Sequence, residues 1–219
     1  MPSSYAPRRP GRSRFVELRG LKHHLNVWGE PSMATPQRPA LLMMHGWMDV
    51  GASYQFTVDA LVQERYVIAA DWRGFGQTDA THSDCYWFAD YLGDLDALID
   101  ELSPDQPIDL VGHSMGGNIV MTYAGVRPQR IRRLVNLEGF GMPQTKPEDA
   151  PKRLRQWLDE LKQPQTLRSY AGLDEVAAGQ VHGAKPFVGG RINQGGRGRD
   201  WGTATAAPAR RSRSGRRAG

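Results

Sequence analysis

Residues 109–120 read DLVGHSMGGNIV, and the centre of that stretch, Gly112-His113-Ser114-Met115-Gly116, decides how the rest of the chain is read. An apolar run, IDLV (108–111), leads into it, and a helical run leaves it, lasting to Arg127 and stopped by Pro128. A serine between glycines at a strand-to-helix junction fits a sharp turn that lifts the hydroxyl above the end of a sheet. The glycines permit both the strain and the close approach of the helix. A serine hydroxyl becomes a nucleophile only with a base in hydrogen-bond reach, an acid behind that base and donors for an oxyanion. His113, on the strand side of the turn, is expected to point away from the serine and pack.

Working outward, short apolar runs alternate with helical patterns. FVELRG (15–20) and LKHHLNVWG (21–29) read as paired antiparallel strands, and a Pro-rich connection (30–39) follows. ALLMMHG (40–46) is continuously apolar, as in a strand buried on both faces. SYQFTVDALVQ (53–63) reads as a helix and RYVIAADWRG (65–74) as the next buried strand. Trp87, Tyr91, Leu95, Leu98 and Leu102 fall on one stripe of a helix over 86–102, and IRRLVNLEG (131–139) is a further strand. Strand alternating with helix predicts a mostly parallel sheet with right-handed crossovers, flanked by helices. PEDAPKRLRQWLDELK (148–163) is a polar helix with Leu154, Trp157, Leu158 and Leu161 on one side, and no internal repeat is visible.

The net charge of +5 is unevenly placed. Residues 1–179 hold 19 Lys/Arg and 22 Asp/Glu, a balance of −3, whereas 180–219 hold nine and one, a balance of +8. That last stretch is Gly-, Ala- and Arg-rich without apolar periodicity, so it is expected to be disordered. Cys85 is the only cysteine, which excludes an intrachain disulfide. The N-terminus lacks the apolar stretch of a secretory signal, and no run approaches a membrane span, so a soluble, cytoplasmic chain without a membrane partner is expected. The resulting division is a disordered 1–14, an α/β core over 15–145, the start of a helical cap over 146–178 and a tail over 179–219.

Four stretches together resemble the α/β-hydrolase fold family, in its serine hydrolase, epoxide hydrolase and lipase-like branch: MHGWMD (44–49), DWRGFGQTD (71–79), DLVGHSMGG (109–117) and LVNLEGFG (134–141). The resemblance implies Ser114 as nucleophile, with the backbone N–H groups of Trp47 and Met115 forming an oxyanion hole. His45 is implied to hold the oxyanion loop, His45, Gly46, Trp47 and Phe75 to surround the substrate pocket, and Asp71 and Arg73 to form a loop-stabilising ion pair. Glu138, at the carboxyl end of the sixth strand, is the candidate acid, and Asp49 a weaker one. Serine at the elbow argues against the epoxide hydrolase and dehalogenase reactions, which use aspartate there. The implied activity is hydrolysis of a small uncharged ester through an acyl-serine, with no cofactor and no metal.

The base is where this sequence departs from the family. After Ser114 the only histidine is His182, at the front of the Gly/Arg-rich tail with no strand before it, and the two last strands of the fold are not evident. Two readings compete for this. In one, the chain has exchanged catalysis for binding, its basic tail meeting nucleic acid or another polyanion. In the other, which the abrupt change of composition favours, the reading frame departs near residue 178 and the tail's charge carries no function. Impaired catalysis is expected, with nucleic acid not favoured as a partner. Oligomeric state and substrate identity are not legible.

Overall fold

The structure, a computed structural model, describes residues 5–82, 86–141, 144, 146–163 and the backbone of 168–170 and 190–192. Strands β1 (Arg12–Leu18) and β2 (Leu21–Trp28) form an antiparallel hairpin whose two-residue turn, Arg19-Gly20, has φ of 51° and 77°. Positive φ at both positions is what a tight hairpin turn matching the strand twist demands. β3 (Leu41–Met44), β4 (Val67–Ala70), β5 (Ile108–His113) and β6 (Ile131–Leu137) complete a six-stranded sheet in the order β1-β2-β4-β3-β5-β6. β2 meets β4 antiparallel, and every later pairing is parallel, as the strand–helix alternation predicts.

The unbroken apolar run at 41–44 has a direct explanation in the packing. Leu42 and Met44 point to one face, into a core with Ile68, Leu110, Leu95, Ile99 and Ile119, while Leu41 and Met43 point to the other, against Trp28, Val67, Tyr54 and Val58. Successive residues of a strand face opposite ways, so a strand covered on both sides must be apolar at every position. The first face is covered by α2 (Phe88–Leu102) and α3 (Met115–Val126), the second by α1 (Gln55–Ala60).

Several expectations are corrected. The helix over 53–63 is shorter, a 3₁₀ turn at Gly51–Tyr54 leading into the six residues of α1, and Leu61 is already extended. Asp59 instead accepts from Tyr5 Oη and from the N–H groups of Arg8 and Arg9, at 2.9 and 2.8 Å. The N-terminal segment, expected to be disordered, is thus pinned across α1 from Tyr5 onward, and β1 begins at Arg12. Trp87 lies outside the stripe of α2. It sits at the helix N-cap in an extended conformation, 73% exposed, and the buried stripe begins at Tyr91.

The polar helix is α4 (Ala150–Leu161), with its apolar side exposed. The next described element is a short strand, β7 (Arg168–Tyr170), parallel to β8 (Gly190–Ile192), which falls within the stretch expected to be tail. The rest of 179–219, including His182, lies outside the described residues, as does Cys85. No helix among the described residues is long and apolar enough to cross a membrane.

At the amino ends of the strands, Asp109 on β5 takes Arg132 of β6 at 2.9 and 2.6 Å and Arg65 at 2.7 Å. Burial works to raise the Asp109 carboxyl, but the two guanidiniums overcome that and hold it below the usual carboxylate range. On its far side β6 has no partner among the described strands, and Val135 and Leu137 are exposed.

Candidate active site

The register of three strands brings the candidate site residues to one end of the sheet. Met44 of β3 lies level with Gly112 of β5, and Gly112 with Asn136 of β6, so the segments beginning at His45, His113 and Leu137 leave the sheet side by side. The carboxyl ends of parallel strands are where an open α/β sheet presents its chemistry.

Ser114 forms the turn between β5 and α3 with φ 50° and ψ −113°. For a residue with a Cβ this conformation costs on the order of 1–3 kcal/mol and persists only where the surroundings over-determine it. Those surroundings are the glycines and a backbone bond. A Cβ on Gly112 would stand 2.5 Å from both Gly116 O and Val120 Cγ2, and one on Gly116 would collide with the carbonyls of Met44 and His45. Only glycine at both positions lets α3 start so close to β3 and β5. The Ser114 N–H donates to Leu137 O at 2.8 Å. The serine's own amide is therefore engaged, and the first helical N–H available to an oxyanion is that of Met115, among the amides that a helix leaves unpaired at its start.

The other expected oxyanion donor lies in the adjoining loop. Gly46 packs on the elbow, its Cβ position 3.1 Å from Ser114 Cβ, and Trp47 follows with its side chain 60% exposed and its ring edge-on to Phe75 at 5.3 Å. His45 anchors this loop. Its Nε2 accepts from the Trp72 N–H at 3.0 Å, its Nδ1 donates to Gly46 O at 2.8 Å, and Trp72 Nε1–H donates to His45 O at 2.9 Å. One ring nitrogen accepting and the other donating requires the neutral imidazole, and burial lowers the His45 pKa in the same sense. Of the four residues expected around the pocket, only Trp47 exposes its side chain. His45, Gly46 and Phe75 are buried and shape the site from behind. A shallow cleft lined by Phe88, Asn118, Met121, Thr122 and Gly141 begins one turn along α3 from Ser114.

Asp71 and Arg73 do not pair with each other. Asp71 binds His24 Nδ1 at 2.8 Å and the N–H groups of Gly51 and Gln77 at 2.7 and 3.0 Å, tying β2 and two loops to the end of β4. Arg73 reaches instead to Asp94 of α2 in a two-pronged bond, both contacts at 2.5 Å. The structural role holds, but the partners differ, because Asp94 lies on the buried side of α2 in a position the linear motif does not reveal. Asp49 accepts from Val50 N–H and Ser53 Oγ, so its carboxylate is spent on the turn at 51–54.

Glu138 leaves β6 with φ 60° and an exposed side chain. Its Oε2 stands 3.9 Å from Nε2 of His113, the one histidine recorded this near it among the described residues. His113 packs its ring edge on Gly46, whose Cβ position lies 3.0 Å from His113 Nδ1, while its side chain stays half-exposed. The sequence reading missed Asn136 and Asn118, which fasten the loop after β6. An asparagine interrupting the apolar run LVNL was the one signal available.

A serine on a strained strand-to-helix turn, with a neutral histidine bracing the neighbouring loop and an acidic residue at the next strand end, on this strand order, defines an α/β hydrolase. Residues 39–185 match the family described as alpha/beta hydrolase fold, more than half of the chain, and the chain belongs to that family. It is 40% identical over 101 residues to Epoxide hydrolase 2 of Siraitia grosvenorii, covering 45% of this chain and 32% of that one. It is 35% identical over 144 residues to the cis-3-alkyl-4-alkyloxetan-2-one decarboxylase of Shewanella oneidensis, covering 63% and 42%. Among solved structures, a thioesterase domain from the curacin biosynthetic pathway superposes with a TM-score of 0.63 at 30% identity, over 74% of this chain and 56% of that one. The chain thus spans about a third to two fifths of the length of these curated relatives.

Proposed function

We propose that this hydrolase-family chain carries the nucleophile of a serine hydrolase that cleaves a small uncharged ester by acyl transfer. The observation that carries the reading is Ser114 held at φ 50° on the elbow beside the Gly46–Trp47 loop. In the proposed cycle Ser114 Oγ attacks the ester carbonyl carbon as its proton passes to a base, and the N–H groups of Trp47 and Met115 hold the developing oxyanion. Collapse expels the alcohol, which takes the proton, and water then releases the acid from the serine. Glu138 is the proposed acid. The cleft beside Ser114, with Phe88 and Met121 in its lining, suits an apolar acyl or alkoxy group.

The neighbouring thioesterase domain is named for acyl chemistry, which supports this reading. The epoxide hydrolase relatives bear on it differently, since serine stands here where the resemblance places aspartate in those enzymes. The reading includes slow turnover, because the one histidine after Ser114 in the sequence is His182, in the Gly- and Arg-rich stretch.

A fluorophosphonate tests the nucleophile and a panel of short p-nitrophenyl esters the substrate class. Covalent labelling mapped to Ser114, lost in Ser114→Ala, with slow ester turnover is the expected result. Labelling that survives Ser114→Ala, or epoxide hydration that does, would overturn the assignment.

A further inference from the structure

One side chain fastens the loop after β6 to the nucleophile elbow, and the acyl-transfer chemistry leaves it without a role. Asn136 closes on both polar groups of a single residue: its Oδ1 accepts from the Gly139 N–H at 2.8 Å and its Nδ2 donates to Gly139 O at 2.5 Å. The same Oδ1 occupies the space where a Cβ on Gly117, in the first turn of α3, or on Gly139 would lie. Gly139 in turn rests on Gly117, its Cβ position 2.5 Å from the Gly117 carbonyl carbon. Two further bonds bracket the contact: Ser114 N–H to Leu137 O at 2.8 Å, and Gly141 N–H to Asn118 Oδ1 at 2.7 Å. Between them stands Glu138 at φ 60°, a conformation that a residue with a Cβ keeps only under restraint from both sides.

We propose that Asn136 is a positioning residue that joins the Ser114 elbow and the Glu138 loop into one rigid unit, so that nucleophile and acid keep a fixed separation. The inference rests on the reading of Ser114 as nucleophile, but its mechanical part can be measured without it. A leucine at 136 has nearly the same volume and neither hydrogen bond. The loop then loses its hold on Gly139, the Leu137 carbonyl drifts from the Ser114 amide, and the elbow relaxes toward ordinary φ. An aspartate keeps the acceptor for the Gly139 N–H, and its carboxyl regains a donor for Gly139 O only when protonated.

Two measurements on the full chain decide the matter. Amide hydrogen exchange in Asn136→Leu is expected to quicken about tenfold at Ser114 and Gly139 while Leu110 and Val111 stay as slow as in the wild type. The second-order rate of fluorophosphonate labelling at Ser114 is expected to fall ten- to a hundredfold, the scale of a displacement near 1 Å in a reacting group. In Asn136→Asp the labelling rate relative to wild type is expected to recover as the pH falls and the introduced carboxyl takes up its proton, a dependence that a merely structural strand cap would not show. Unchanged exchange at Ser114 and Gly139 in folded Asn136→Leu overturns the proposal, and so does wild-type labelling in the face of faster exchange. A wild-type chain that does not label at Ser114 defeats the acyl-transfer reading instead, and the exchange measurement then judges the rigid unit by itself. Should Asn136→Leu fail to fold, Asn136→Asp decides by exchange at Ser114 and by labelling across pH, and a labelling rate relative to wild type that does not change with pH overturns the proposal.

Discussion

A single methyl group at Gly116 should separate reactivity from stability. The Cβ of Gly116→Ala would lie 2.6 Å from His45 O and closer still to Met44 O, where ordinary contact begins at 3.4 Å, so backbone must give by roughly 1 Å at the Met44 carbonyl. The atoms in the way belong to the end of β3 and the start of the loop proposed to hold the oxyanion, and the helix that must otherwise retreat begins at Met115. Either movement parts the Trp47 and Met115 amides. A shift of this size in catalytic groups is worth about a hundredfold in rate. Stability responds less, because overpacking costs about 1–3 kcal/mol while replacing a helical glycine by alanine returns up to about 1 kcal/mol. Gly125, in the last turn of the same helix, is the matched control, since nothing lies within 4 Å of its Cβ position. Gly125→Ala should keep the wild-type fluorophosphonate rate and gain a few tenths of a kcal/mol or more in urea unfolding. Gly116→Ala should lose about a hundredfold in rate with a net cost of about 0–2 kcal/mol. Wild-type labelling in Gly116→Ala would refute the claim that close approach of α3 to the β3 end builds the oxyanion site.

Three further outcomes follow from the same contacts. Asp109→Asn should cost about 2 kcal/mol at neutral pH, because Arg65 and Arg132 lose a carboxylate whose side chain is only 6% exposed. Since the folded Asp109 pKa is depressed, that stabilisation is complete above about pH 4 and is lost as pH falls through the folded value, so the wild-type and variant unfolding curves should converge in acid. His45 has the same sign in a higher pH window. Its folded pKa is lowered, so the unfolded chain binds the extra proton first and stability should decline as pH drops below about 6.5, a slope that His45→Gln should flatten in chemical denaturation across pH. Of the consecutive amides Leu134 and Val135, one points away from β5, where no described strand accepts it. That one should exchange much faster than Leu110 and Val111, and equally slow exchange at all four in a monodisperse monomer would show β6 to be covered.

What could be read from the sequence was what local chemistry determines. LLMM declares a strand covered on both faces, and DLVGHSMGG combines an apolar strand, a permissive turn and a helix start in nine residues, so the elbow follows from the letters alone. Whatever depends on a partner distant in sequence was legible only in part. Asp71 and Arg73 sit in one motif and suggest a pair, yet each finds a better partner on another element, His24 and Asp94. Trp87 fits the helical stripe by spacing but precedes the first helical residue, a boundary that apolar period does not mark. The N-terminal segment looks unstructured by composition because the residue that orders it, Asp59, lies more than 50 positions away from Arg8. The contact of Glu138 with His113 and the fastening by Asn136 arise from the register of β5 against β6, which no single strand encodes.

The strand order also sets a schedule for synthesis. The β1–β2 hairpin closes through a two-residue turn and needs nothing beyond residue 28, but β3 cannot join it, since β4 must lie between them. From the moment Met44 emerges until Ala70 follows, an uncharged Leu-Leu-Met-Met segment has neither neighbour, an interval of roughly 1–5 s at typical elongation rates. A nascent chain arrested with about 55 residues outside the ribosome should therefore be a better client for hydrophobic chaperones than one arrested after β4. Equal capture of the two would mean that β3 finds shelter before its sheet partner arrives.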